Sequence, residues 1–255
     1  MSYIKVKKED GKAILSIDRP EALNALNRDL IDELDLAVES INADKDIKVL
    51  VIYSEKNFAA GADIKDMIDL NPEDAKSFAF SGTFNKIAGL TVPTIAVIEG
   101  YALGGGLELA LACDLRIASE EAKLGFPETG LGIMPGAGGT ARATRLLGES
   151  KAMELILLGS IIDGKEADRI GLVNKVSSAE NLYSDALKWA DRISHGALVA
   201  LKTAKATIRA GLKEQDIEKA IEIEGMNWSD LFNTEDQKEG MKAFIEKRKP
   251  EYKDK

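Results

Sequence analysis

Two glutamates stand in settings that leave their charge unbalanced: Glu108 in GGGLELALACD and Glu128, twenty residues on, in GFPETGLG. Glu108 falls in the run from Leu107 to Cys113, where every other residue is apolar, and the positions four away on a helix are Gly104 and Ala112. No cation lies one helical turn from it. Burial without a neighbouring cation raises a carboxyl pKa toward the range in which the group both takes and gives a proton, which general acid–base chemistry needs. Two such carboxyls can share one water. A carboxyl on an apolar helix also has a purely structural outlet: it can snorkel to solvent or accept hydrogen bonds from the backbone of a packed neighbour.

Gly104, Gly105 and Gly106 precede the helix that carries Glu108. Consecutive glycines cost backbone entropy that a merely structural helix start would avoid. They let a ligand come close to bare N–H groups. At a helix N-terminus those donors lack intrahelical acceptors and the macrodipole favours negative charge, so the turn suits an oxyanion that develops during a reaction.

Other chemistries find less support. Gly136-Ala137-Gly138-Gly139-Thr140-Ala141 fits the dinucleotide fingerprint G-x-G-x-x-A, but that fingerprint needs a strand directly before its glycines, and the preceding LGFPETGLGIMP carries two prolines and no strand run. No P-loop sequence occurs. His195 is the only histidine, which removes Ser-His and Cys-His machinery and most zinc sites. The single Cys113 rules out an internal disulfide and reads as a small core hydrophobe. No apolar stretch follows the charged start MSYIKVKKEDGK, so neither secretion nor membrane insertion is indicated, and the cytoplasm is the expected compartment. A net charge of -9 and a pI near 4.9 argue against general affinity for nucleic acid or anionic membrane. From Lys238 to Lys255, however, seven Lys or Arg face four Asp or Glu. That stretch is either a solubilising tail or an anion-binding one.

The elements that must position these groups follow from pattern. YIKVKKEDGKAILSID reads as a β-hairpin turning at Asp10-Gly11. Leu30, Ile31, Leu34, Ala37, Val38 and Ile41 share one helical face, with Asn27 as the cap. Ile47 to Tyr53 is a buried strand, followed by the loop FAAGAD, a helix ending near Gly89, the strand TIAVI, the glycine turn and the helix bearing Glu108. DLRIAS is another strand and Leu172 to Val176 the last, after which only helical signals remain. The expectation is a mixed α/β core over residues 1–195 that contains the active site, followed by a helical region over residues 196–255. At 45% hydrophobic content the 255 residues suffice for such a core.

Five segments carry a family likeness: RPEALNAL (Arg19 to Leu26), FAAGADIKDM (Phe58 to Met67), GYALGGGLELALACD (Gly100 to Asp114), FPETGLGIMPGAGGT (Phe126 to Thr140) and EGMKAFIEKRKP (Glu239 to Pro250). With them the chain resembles the crotonase superfamily, and most closely the enoyl-CoA hydratases, over essentially its whole length. The resemblance implies a spiral core of repeated ββα turns and a C-terminal helical region that mediates trimer assembly, usually as a dimer of trimers. It implies a CoA thioester substrate whose oxygen is held by the backbone N–H groups of Ala62 and Gly105, and no cofactor or metal. Hydratases of the family carry glutamates at the positions of Glu108 and Glu128, whereas many related isomerases, decarboxylases and hydrolases lack one of them. The implied roles are Glu108 as base on water and Glu128 as proton donor to the α-carbon, in fatty-acid metabolism.

Substrate and CoA contacts are implied at Ala22, Ala60, Ala62, Asp63, Ile64, Lys65, Gly104, Gly136 and Lys247, with either Lys247 or Lys249 reaching a neighbouring subunit's ligand. Met67, Ile68, Phe78, Phe84, Trp228 and Phe232 are candidates to line the acyl pocket. Ile217, Ile221, Trp228 and Phe232 recur near one helical face, as an assembly surface would require. Two alternatives stand beside hydration: double-bond isomerisation or hydration of a branched or alicyclic acyl-CoA on the same site, and a non-enzymatic RNA- or protein-binding homologue.

Overall fold

The structure is a computed structural model and describes residues 2–255. Its strands are β1 (Ile4–Glu9), β2 (Lys12–Ile17), β3 (Val49–Tyr53), β4 (Thr94–Ile98), β5 (Tyr101–Leu103), β6 (Leu115–Ser119), β7 (Lys123–Gly125), β8 (Ile161–Asp163) and β9 (Lys175–Ser177). The helices are α1 (Arg28–Ala43), α2 (Ile64–Met67), α3 (Pro72–Phe78), α4 (Ser81–Gly89), α5 (Gly105–Ala112), α6 (Gly139–Leu147), α7 (Glu149–Leu157), α8 (Gly164–Arg169), α9 (Ala179–Ser194), α10 (Leu198–Gly211), α11 (Ile217–Asp230) and α12 (Glu235–Ile245).

The hairpin turns at Asp10-Gly11, where φ is 47° and 75°, as a two-residue turn matched to strand twist requires. From there a six-stranded sheet runs in the order β1-β2-β3-β4-β6-β9, parallel beyond the hairpin. A second sheet has the order β5-β7-β8. After β4 and again after β6 the chain steps from the large sheet to the small one, and after β5 it enters a helix. This is the repeated ββα turn of the crotonase fold.

Both faces of the large sheet are covered. Leu15, Leu50, Ile52, Ala96 and Ile98 join the main core with α1, α4 and α5, while Val49, Val51, Ile95, Val97 and Ile117 pack on the other side against Leu182, Ala186 and Ala190 of α9. Burial on both faces explains why VLVIY and TIAVI are almost wholly apolar rather than alternating. The Asn27 side chain caps α1 by accepting from the Leu30 N–H at 3.0 Å, and Leu30, Ile31, Leu34, Val38 and Ile41 are buried on the helix's inner face.

The last strand lies later than its sequence pattern indicates. Leu172 and Val173 are buried, but their N–H groups donate to the Ala167 carbonyl and close α8. Pairing with β6 begins only at Lys175. The small sheet is an addition to the sequence reading.

After α9 ends at Ser194, helices α10 to α12 follow. The chain end returns to them: the N–H groups of Lys253 and Asp254 donate to the Asp236 carboxylate at 2.7 and 2.9 Å. Helix α11 buries none of its residues. Its apolar face, with Ile217 and Ile221, is open to solvent in the single chain, and Trp228 meets Phe232 edge to face at 4.7 Å between centroids. Among the described residues no helix is long and apolar enough to cross a membrane.

Candidate active site

Pairing of β5 with β7 sets Leu103 opposite Gly125, and the Gly104 N–H donates to the Gly125 carbonyl at 2.9 Å. The chain leaving β7 enters a 3₁₀ turn at Pro127–Leu131, so Glu128 arrives beside the glycine turn that opens α5. Glu108, within the first turn of α5, faces the same space. The three glycines have three separate reasons. A Cβ on Gly104, where φ is +49°, would lie 2.9 Å from Glu128 Oε1, and one on Gly106 would overlap the Ala59 carbonyl oxygen. Only at Gly105 is there room: the nearest atoms, Ala62 N and Leu26 Cδ1, lie 3.5 Å from where its Cβ would be.

That proximity brings together the two expected oxyanion donors. Leu26 forms a parallel bridge with Ala62, donating to the Gly61 carbonyl at 2.7 Å and accepting from the Asp63 N–H at 2.9 Å. In such a bridge the residue between the bonded groups turns its own N–H away. The Ala62 N–H therefore turns away from Leu26, while Gly105, the first residue of α5, has no intrahelical acceptor for its own N–H. Among the described residues neither amide has a protein acceptor. The start of α5 adds the positive end of its dipole.

The two carboxyls differ in their surroundings. Glu108, 3% exposed, accepts at Oε1 from the N–H groups of Ala137 and Gly139, both at 2.7 Å. Its Oε2 has no protein partner among the described residues. Burial raises the Glu108 pKa above its ordinary value, opposed by these two donors, by the charge of Arg142 and, more weakly, by the Gly136 amide. Among the described residues Glu128 has no cation partner and no side-chain donor. Its Oε2 is buried without a partner, and burial, opposed by the residue's own amide and reinforced by the negative charge of Glu108, pushes the carboxyl up to about 7.

Both glutamates line a cavity of about 430 Å³, together with Ala60, Ala62, Ile64, Gly104, Gly105 and Gly136. Four residues tied by resemblance to CoA lie outside its wall. Ala22 sits in a 3₁₀ turn at Pro20–Ala22. Asp63 pairs with Arg19 at 2.9 Å and caps α2. Lys65 is exposed beside Ile64, and Lys247 is exposed just beyond α12 with φ 54°. Of the acyl-pocket candidates, Met67 and Phe78 line the cavity, Phe84 is core, and Ile68, Trp228 and Phe232 are outside it. The sequence reading missed Leu70, Ala79, Phe80, Leu131, Ile133 and Met134, which complete an apolar wall, and the Ala137 and Gly139 amides. The Gly-Pro-rich stretch after Glu128 was the available sign of a backbone-lined site.

The class of protein is fixed by comparison with known sequences and structures. The family model described as enoyl-CoA hydratase/isomerase matches residues 7–255. The crotonyl-CoA hydratase of Syntrophomonas wolfei is 44% identical, the match covering 99% of each chain, and the short-chain-enoyl-CoA hydratase of Clostridium acetobutylicum is 43% identical over 98% of this chain and 97% of its own. The crystal structure of an enoyl-CoA hydratase from Bacillus anthracis superposes with a TM-score of 0.95 at 37% identity, covering 99% of this chain and 100% of that one. The chain belongs to the enoyl-CoA hydratase/isomerase family and is an enzyme of that kind.

Proposed function

We propose that the protein catalyses the reversible hydration of trans-2-enoyl-CoA to 3-hydroxyacyl-CoA. One observation carries the reading: two buried carboxyls open into one apolar cavity, one tethered by two amides of a neighbouring turn and the other with a buried oxygen, Oε2, that has no partner. The amides favour the charged form of Glu108 and leave Oε2 free to take a proton from water. Isolation favours the neutral form of Glu128, which holds a proton to give. In this mechanism the water oxygen bonds to the β-carbon as Glu108 Oε2 takes its proton. Electrons move through the conjugated system toward the thioester oxygen, and Glu128 protonates the α-carbon. Negative charge on that oxygen meets the Ala62 and Gly105 N–H groups, each donor contributing on the order of 3–4 kcal/mol in the transition state. The reading requires no cofactor or metal.

The CoA portion carries phosphates that an acidic protein must meet with local cations. Lys65, exposed next to the cavity-lining Ile64, suits that task within one subunit, and Lys247 would serve a neighbour's ligand in a trimer or dimer of trimers. The uncovered apolar face of α11 supports such assembly. The setting in this reading is the cytoplasm, which the unpaired, buried Cys113 suits. Loss of the conjugated enoyl absorbance of crotonyl-CoA tests the function. No loss with crotonyl-CoA, but formation of a conjugated product from a 3-enoyl-CoA, would assign isomerisation instead.

A further inference from the structure

The turn that tethers Glu108 is itself tied down by a residue with no place in the chemistry above. Arg142 lies in the first turn of α6, where its N–H donates to the Gly138 carbonyl at 2.8 Å. A cation at that end of a helix opposes the macrodipole. Its guanidinium nevertheless folds back over the helix start. Nη1 donates to the Ala137 carbonyl at 2.9 Å, and Nη2 to Asn85 Oδ1 of α4 at 2.7 Å. Gly138 has φ +109°, and any Cβ there would overlap the guanidinium. Ala137 thus has its carbonyl held by Arg142 and its N–H given to Glu108.

We infer that Arg142 is a positioning residue for Glu108: its two-pronged contact with the Ala137 carbonyl and Asn85 fixes the 136–139 turn so that both amides aim at Oε1, and its charge favours the ionised carboxylate from behind. The sequence departs from helix-dipole preference at this position because a planar fork holds its donors to the two acceptors in a fixed geometry, which the rotatable donors of an ammonium do not. The charged and titratable groups around the pair are few. Glu108 interacts with Glu128 across the cavity and Arg142 behind the turn. Arg142 interacts with Glu108, with Arg209 of α10 and with Cys113, a thiol that burial pushes up to about 12 and keeps neutral.

The catalytic consequence rests on the proposed hydration, so the first readout avoids turnover. In protein carrying ¹³C-labelled glutamate, the Glu108 carboxyl signal is the one lost in Glu108→Gln, and its titration is followed without substrate. Arg142→Gln is expected to raise the Glu108 midpoint by about half to one pH unit, and to lower kcat by roughly 10- to 100-fold with KM within about threefold. Arg142→Lys keeps the charge but not the fork. It should leave the midpoint within about 0.3 unit and still lower kcat by roughly fivefold or more. An unmoved midpoint in Arg142→Gln, or kcat within about twofold of the parent in both variants, overturns the inference. Should Arg142→Gln fail to fold, Arg142→Lys and the exposed Asn85→Ala decide it, and unchanged kcat in both refutes the positioning role. Absence of hydratase activity in the parent with a shifted midpoint in Arg142→Gln would instead reject the proposed reaction and leave the positioning intact.

Discussion

Replacing Glu128 by glutamine keeps the shape of the side chain and removes its titration, and two measurable quantities should then move in opposite directions. In the folded protein the carboxyl is lifted from 4.5 to about 7, a difference worth about 3 kcal/mol if fully realised. The group opens into a cavity that water enters, so screening reduces the figure to about 1–2 kcal/mol. Between these two pH values the folded chain keeps a proton that the unfolded chain releases. Stability from this group is therefore fully present below about pH 4.5 and lost as pH rises through about 7. Glu128→Gln escapes that loss. Calorimetry at pH 8 should show the variant melting roughly 3–6 °C above the parent, with the difference nearly gone at pH 5. Its hydration kcat should fall by about 10²- to 10⁴-fold. A Tm difference independent of pH, or turnover above about half the parent's, would refute the claim that Glu128 is a neutral proton donor at working pH.

Glu108→Gln should likewise cost about 10²- to 10⁴-fold in kcat while leaving CoA affinity, read by calorimetric titration, within about threefold. Gly105→Ala adds a methyl 3.5 Å from Ala62 N without a positive φ to strain, so circular dichroism should show an intact fold while kcat drops by roughly 10- to 100-fold. Unchanged turnover would remove the Gly105 amide from the oxyanion site. Light scattering at micromolar concentration should give three or six times 27.6 kDa; a monomer with full activity would show that α11 needs no partner.

Much of this arrangement was legible because short-range chemistry marks it. Asp10-Gly11 dictates a tight turn, Asn27 a helix start, and Glu108 in an apolar run a carboxyl with a raised pKa. What escaped depends on contacts made across the chain. Strands β5, β7 and β8 have three residues each, too few to display alternation, although they bring Glu128 beside Gly104. The amides that tether Glu108 come from 29 and 31 residues away. Gly106 looked like part of a ligand-facing turn, yet its lack of a Cβ serves the close packing of α5 on Ala59. The resemblance supplied Ala62 as a donor; the bridge to Leu26 gives the physical reason its N–H is free.

The most direct test of shared catalysis by the glutamate pair is to run crotonyl-CoA hydration in D₂¹⁸O and analyse the product by mass spectrometry and NMR. The account requires one ¹⁸O at the β-carbon and one deuterium at the α-carbon in each product molecule, with the rates of both incorporations falling together by about 10²- to 10⁴-fold in Glu108→Gln and in Glu128→Gln. Deuterium entering the substrate carbon chain without ¹⁸O, or incorporation of both labels at the parent's rate in either variant, would contradict it.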